Sequence, residues 1–120
     1  MFLGNLTEEQ IYALIDSIKN KHSRNPTHLK ALGAALISPA RSSQATITKI
    51  DIARTLVYYG KDALPYLAVY AQDGENGLVG LAIMTYLSDE SKSEGIAKKL
   101  GLPARSSIIQ QKKWWQFWKE

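Results

Sequence analysis

The sequence predicts an all-α domain, and three observations carry that expectation. Apolar residues recur at three- and four-residue intervals through most of the chain, residues that start and stop helices punctuate those intervals, and no segment alternates with period two long enough to argue a sheet. We expect five to six helices over residues 1–106, stacked as antiparallel hairpins or as an irregular bundle, followed by a short amphipathic aromatic tail over 107–120. At 120 residues with 45% hydrophobic positions, the chain has the size and apolar share of one domain that folds without a disulfide or a metal.

The first helix is signalled by Leu6-Thr7-Glu8-Glu9-Gln10-Ile11, a capping box with a hydrophobic staple in which Thr7 caps, Gln10 reaches back and Leu6 meets Ile11. Ile11, Leu14, Ile15 and Ile18 mark one face of it. The pattern dissolves over residues 19–24 and restarts at Asn25-Pro26, a cap and a proline at the first helical position. Leu29, Leu32 and Leu36 line this second helix, while Ala31, Gly33, Ala34 and Ala35 let a neighbour approach closely. Ser38-Pro39 ends it, and the Ser-rich residues 38–46 read as the longest internal loop.

A third helix follows, with Ile47, Ile50, Ala53 and Val57 on one face and Ile52, Leu56 and Tyr59 on another. Gly60 stops it, and Asp62 is expected to cap a fourth helix that tolerates Pro65 in its first turn and is lined by Leu64, Leu67, Ala68 and Ala71. Residues 73–76 form a turn, from which Asn76 can cap a fifth helix. Leu78, Val79, Leu81, Ala82, Ile83, Met84, Tyr86 and Leu87 make that helix apolar nearly all round, so it should be central, with Leu81 in the core. Gly74, Gly77 and Gly80 stand beside Asp73 and Glu75, whose charge argues against a phosphate cradle and for turn formation with close helix packing. Ser91 with Glu94 signals a sixth helix, and Gly101 its left-handed end before Leu102-Pro103. The segment Pro39-Ala40-Arg41-Ser42-Ser43 recurs as Pro103-Ala104-Arg105-Ser106-Ser107, both times at a helix boundary, where proline stops one helix and serine caps the next.

Asp62-Ala63-Leu64-Pro65-Tyr66-Leu67, then Asp73 in a short turn, then Val79, Ala82 and Leu87, resembles one helical hairpin of the HEAT repeat family. That family places a proline in the first helix, an acidic residue in the turn and a Val–Ala pattern in the second helix. The resemblance is confined to residues 62–87 and departs from the family at Gly80, where a basic residue is usual; residues 7–37 are punctuated differently. It implies stacked hairpins that bind partners and do no chemistry, and it carries over no binding residue.

Function is bounded mainly by what the sequence lacks. Without cysteine there is no thiolate nucleophile or Cys-based metal site, and nothing favours an oxidising compartment, so a cytoplasmic protein is expected. The first residues lack the basic region of a secretion signal, and no apolar run approaches the roughly 20 residues of a membrane span. His22 and His28 flank one loop without a partner carboxylate or nucleophile at usable spacing, so we expect no catalysis, no metal and no cofactor. The net charge is +4, with +3 over residues 1–60 and +2 over 107–120. Lys19, Lys21, Arg24 and Lys30 concentrate the first excess and are the candidate nucleic-acid contacts, although a surface tracking phosphates is usually wider. Tyr66 and Tyr70, four residues apart on one helix face, form a secondary aromatic patch able to stack on a base or a partner side chain.

The tail is the most unusual feature. Residues 112–120 hold all three tryptophans and one of the two phenylalanines, where chain ends normally lose hydrophobicity. A capping box at Ser107-Ile108-Ile109-Gln110 predicts a short helix. In it Trp114, Trp115, Phe117 and Trp118 fall within an arc of about 160°, opposite Lys112, Lys113, Gln116 and Lys119. Tryptophan beside lysine suits both a protein–protein hot spot and an anionic membrane surface. The expected role is therefore a non-enzymatic interaction module that docks a protein partner or the cytoplasmic membrane face through this tail. A nucleic-acid-binding protein is the alternative, and a tail packed on its own core is the structural reading.

Overall fold

The computed structural model describes residues 2–74 and 77–104. The tail, and with it the expectation of an amphipathic segment over 107–120, lies outside these residues, as does Asn76. Six α-helices make up the described body: α1 (Glu8–Asn20), α2 (Pro26–Leu36), α3 (Ser43–Leu56), α4 (Leu64–Tyr70), α5 (Gly77–Ser88) and α6 (Glu90–Leu100). The all-α expectation holds. The one sheet element among the described residues is a minimal hairpin in which β1 (Phe2–Leu3) pairs antiparallel with β2 (Leu6–Thr7), Leu3 opposite Leu6.

Local chemistry sets most helix ends as the sequence predicts. Thr7 and Gln10 form the capping box of α1 in both directions, at 3.1 and 2.9 Å, and Asn25 accepts from the amide of Thr27 at the start of α2. Gly101 closes α6 in the left-handed conformation, with the amide of Leu102 donating to the carbonyl of Ala97. Three boundaries differ. Ser42 caps α3, accepting from Ala45, so the helix claims residues assigned to a loop. Asp62 caps nothing: a 3-10 segment (Val57–Ala63), bent at Gly60, delivers the chain into α4, with Ala63 at the N-cap and no side-chain bond there. Asp89 rather than Ser91 caps α6, accepting from both the amide and the hydroxyl of Ser91.

The core sits between α3 and the helices around it. α3 packs on α1, α2 and α5, while α4 packs on α2 and α5 and α6 closes against α5. The buried face of α3 is Ala45, Thr48, Lys49, Ile52, Ala53, Thr55 and Leu56; Ile47 is half exposed. Both faces read from the sequence contribute to the core, Ile52 and Leu56 from one and Ala53 and Val57 from the other, and only Ile47 turns outward. Thr48 and Thr55 can lie inside because their hydroxyls donate to the carbonyls of Gln44 and Asp51, one helical turn back.

α5 packs on α3, α4, α6 and the 3-10 segment, as expected of a central helix, but the expectation that Leu81 lies inside is corrected. Its buried residues are Gly77, Gly80, Ile83 and Tyr86, while Leu78 and Leu81 are 65% and 52% exposed. Glycine decides which face turns inward. A Cβ at Gly77 would lie 2.2 Å from the carbonyl oxygen of Ala71, and one at Gly80 would lie 3.1 Å from its backbone, so the glycine side alone can meet the end of α4. The reading of these glycines as close-packing positions is upheld. Gly77→Ala has only backbone to displace and is expected to cost about 1–3 kcal/mol. Leu81→Ala should change stability by less than about 0.5 kcal/mol, as at a surface site. Urea unfolding of the two variants checks both, and the reverse order would place Leu81 in the core.

Candidate functional site

The sequence-predicted residues separate once folded. Lys19, Lys21 and Lys30 are exposed around the α1–α2 connection, but Arg24 turns back onto the protein. Its Nη1 donates to the carbonyls of Ile18 and Ser23 at 2.9 and 3.0 Å, and its guanidinium lies 4.9 Å from the centre of the Tyr58 ring. Arg24 thus stitches the end of α1 to the 3-10 segment, and the cluster presents three lysines. His22 is exposed in a left-handed conformation that ends α1, and His28 lies beside Ser23, with Nδ1 3.4 Å from Oγ.

Tyr66 and Tyr70 do not form an exposed pair. Tyr70 is 1% exposed and belongs to the core, so it has no free face for a base; Tyr66 packs over Gly33, where a Cβ would fall 2.4 Å from its ring. The tail residues Lys112, Lys113, Trp114, Trp115, Phe117, Trp118 and Lys119 lie outside the described residues.

A site not anticipated from the sequence surrounds Lys49. A cleft of about 440 Å³ opens where α2 and α4 end against α3; Leu36, Ile37, Pro39 and Val69 supply apolar walls, and Lys49, Tyr70 and Asp73 supply polar chemistry. The Lys49 side chain is only 5% exposed. Its ammonium donates to the carbonyl of Ser38 at 2.5 Å, stands 3.8 Å from a carboxylate oxygen of Asp73 and lies 5.7 Å from the centre of the Tyr70 ring. Burial lowers the Lys49 pKa from its ordinary value, and the Asp73 charge acts in the opposite direction. What offsets the burial is position: a cation beyond the C-termini of two helices meets the negative ends of their dipoles. Burial also raises the Tyr70 phenol, with Asp73 adding to the rise.

The signal for Lys49 is in the sequence in retrospect. Ala45, Lys49, Ile52 and Leu56 follow the three-four spacing of one helical face, so the lysine stands in an apolar row. A second polar link, from Tyr12 to Asp51 at 2.6 Å, ties α1 to α3, and burial followed by the Asp51 hydrogen bond raises the Tyr12 pKa.

Among the described residues no group of His, Cys, Asp and Glu could hold a metal ion, and no helix is long and apolar enough to cross a membrane. Compared with family models, curated proteins and solved structures, the chain has no match, so the HEAT resemblance finds no support beyond the packing of α4 on α5.

Among the described residues, the buried Tyr70 hydroxyl has no hydrogen-bond partner. Leaving a buried donor unpaired costs about 1–3 kcal/mol, so Tyr70→Phe should raise stability by about 1 kcal/mol while keeping the ring over Lys49. Urea unfolding measures this, and a loss of the same size would mean that the hydroxyl is paired.

Proposed function

We propose that this protein is a non-enzymatic interaction module that docks a protein partner through Lys112, Lys113, Trp114, Trp115, Phe117, Trp118 and Lys119. The observation that carries the reading is the gathering of every tryptophan of the chain between positions 114 and 118, with Lys112 and Lys113 before them and Lys119 after. Tryptophan is the residue most enriched at binding hot spots, where a few buried rings supply most of the affinity. The body adds support, because Leu78 and Leu81 stay exposed on the outer side of α5 beside the helices that form the core.

The cytoplasmic face of an anionic membrane is the second reading, favoured by the flanking lysines, which would meet lipid headgroups while the rings sit at the interface. Nucleic-acid binding through Lys19, Lys21, Arg24 and Lys30 is a weaker proposal, since Arg24 is engaged with the carbonyls of Ile18 and Ser23.

The full chain and its Trp115→Ala/Trp118→Ala variant separate these readings. The double substitution should weaken partner binding by at least about 2 kcal/mol with an unchanged melting temperature. Replacing Lys112, Lys113 and Lys119 by Gln should weaken binding to anionic vesicles by about 1 kcal/mol per charge, yet barely alter a ring-anchored protein complex. Affinity that falls steeply with salt and is competed by nucleic acid would favour the basic segment. A large drop in melting temperature in the double variant would overturn the proposal and assign the rings to the protein's own core.

A further inference from the structure

The cleft beside Lys49 is open to solvent and presents mostly polar surface, with Ile37, Pro39 and Val69 as its aliphatic part. The three groups described beside the ammonium, from Ser38, Tyr70 and Asp73, belong to residues that line that cleft, as does Lys49 itself. The ammonium therefore lies at the cleft wall, although its side chain is nineteen-twentieths buried. An ammonium has three N–H donors. One is taken by the Ser38 carbonyl at 2.5 Å; the Asp73 oxygen, at 3.8 Å, is beyond hydrogen-bond distance and belongs to a side chain that is 54% exposed. The geometry thus fills one donor of a buried cation.

The backbone around it is better served. At the end of α2 the carbonyls of Gly33, Ala34 and Ala35 accept from Ile37, the Ser38 hydroxyl and the Ser38 amide. At the end of α4 the carbonyls of Leu67, Val69 and Tyr70 accept from Ala71, Gln72 and Asp73. The cation is then the strongest polar feature that the cleft offers to a guest, and a buried cation is best completed by an anion that brings its own hydrogen-bond acceptors.

We infer that this cleft binds a small aliphatic monocarboxylate, its carboxylate on the Lys49 ammonium and its chain against Ile37, Pro39 and Val69. A carboxylate supplies acceptors for the unfilled N–H groups, and Ile37, Pro39 and Val69 give its hydrocarbon chain an aliphatic surface to lie on. Asp73 has a definite part: it competes with the guest for the same ammonium. This gives the proposal a sign that a merely structural lysine would not produce.

Sodium octanoate titrated into the isotopically labelled full chain, followed by amide chemical shifts, tests it. Saturable shifts are expected at Ser38, Thr46, Val69 and Asp73. Lys49→Met should weaken binding at least tenfold, the loss of one charge-assisted bond or more. Asp73→Asn, at an exposed position, should instead strengthen binding several-fold, and octanol should bind at least tenfold more weakly than octanoate. The octanol and Asp73→Asn comparisons stand even if Lys49→Met fails to fold. Absence of saturable shifts with millimolar octanoate, shifts confined to other parts of the chain, equal affinity for octanol, or weaker binding by Asp73→Asn would each overturn the assignment.

Discussion

The arrangement of the body depends on the close seating of α4, which is made possible by glycines on the helices to either side. α4 has seven residues, about two turns, and a helix that short has no stability of its own in water. Its hold comes from contact. Tyr66 lies on Gly33 of α2, Ala71 lies on Gly77 of α5 at a separation that excludes a Cβ, and Tyr70 and Ala71 press tightly on Gly80. Dispersion falls off steeply with distance, so removing Cβ at these points brings backbone and ring into full contact and compensates for the shortness of the helix. Since α4 touches both α2 and α5, its seating also fixes how those two helices stand to one another.

The polar chemistry of the core follows from that seating. With α4 in place, Tyr70 and Asp73 come to rest beside Lys49 of α3, and the ends of α2 and α4 converge on the same ammonium. A lysine drawn into an apolar row would ordinarily be a liability, because burial disfavours the charged form. Here a carbonyl, a ring face, a carboxylate and two helix ends surround it. The same convergence leaves the cleft, whose walls are the segments that follow α2 and α4.

How much of this was legible depended on whether the determining interaction was local. The start of α1 at Thr7, the start of α2 at Asn25-Pro26 and the end of α6 at Gly101 are fixed by side chains within a few residues of the backbone groups they satisfy, so a pattern of four to six letters suffices. The start of α3 was placed too late because residues 43–46 carry no apolar periodicity, although a serine after Pro39 does cap the helix, and Asp62 failed because the chain enters α4 from a continuing 3-10 turn. Faces failed for a different reason. Hydrophobicity points to Leu78 and Leu81 on α5, yet the contact surface is chosen by how near the end of α4 can come, which selects Gly77 and Gly80. Counting apolar letters cannot register a residue whose contribution is the absence of a side chain. Lys49 and Tyr70 were missed as a site for a related reason: no local pattern singles out Lys49, Tyr70 reads as half of an aromatic patch with Tyr66, and only the convergence of α2, α3 and α4 brings the two together.

The function proposed for the tail and the ligand inferred for the cleft are separate features of one chain, and both presuppose a body whose helices hold a single arrangement. The seating of α4 is where that arrangement is best tested, since the helix has only seven residues and depends on its contacts. Native-state hydrogen exchange of the α4 and post-α4 amides that donate inside the body, such as those of Ala71 and Gln72, addresses it directly. If glycine-mediated contact locks α4 in place, these amides should exchange only through global unfolding, with the same opening free energy as the buried segment of α3 around Ile52. Opening of α4 several kcal/mol below the global value, while α3 remains protected, would contradict the account and make α4 a loosely attached turn.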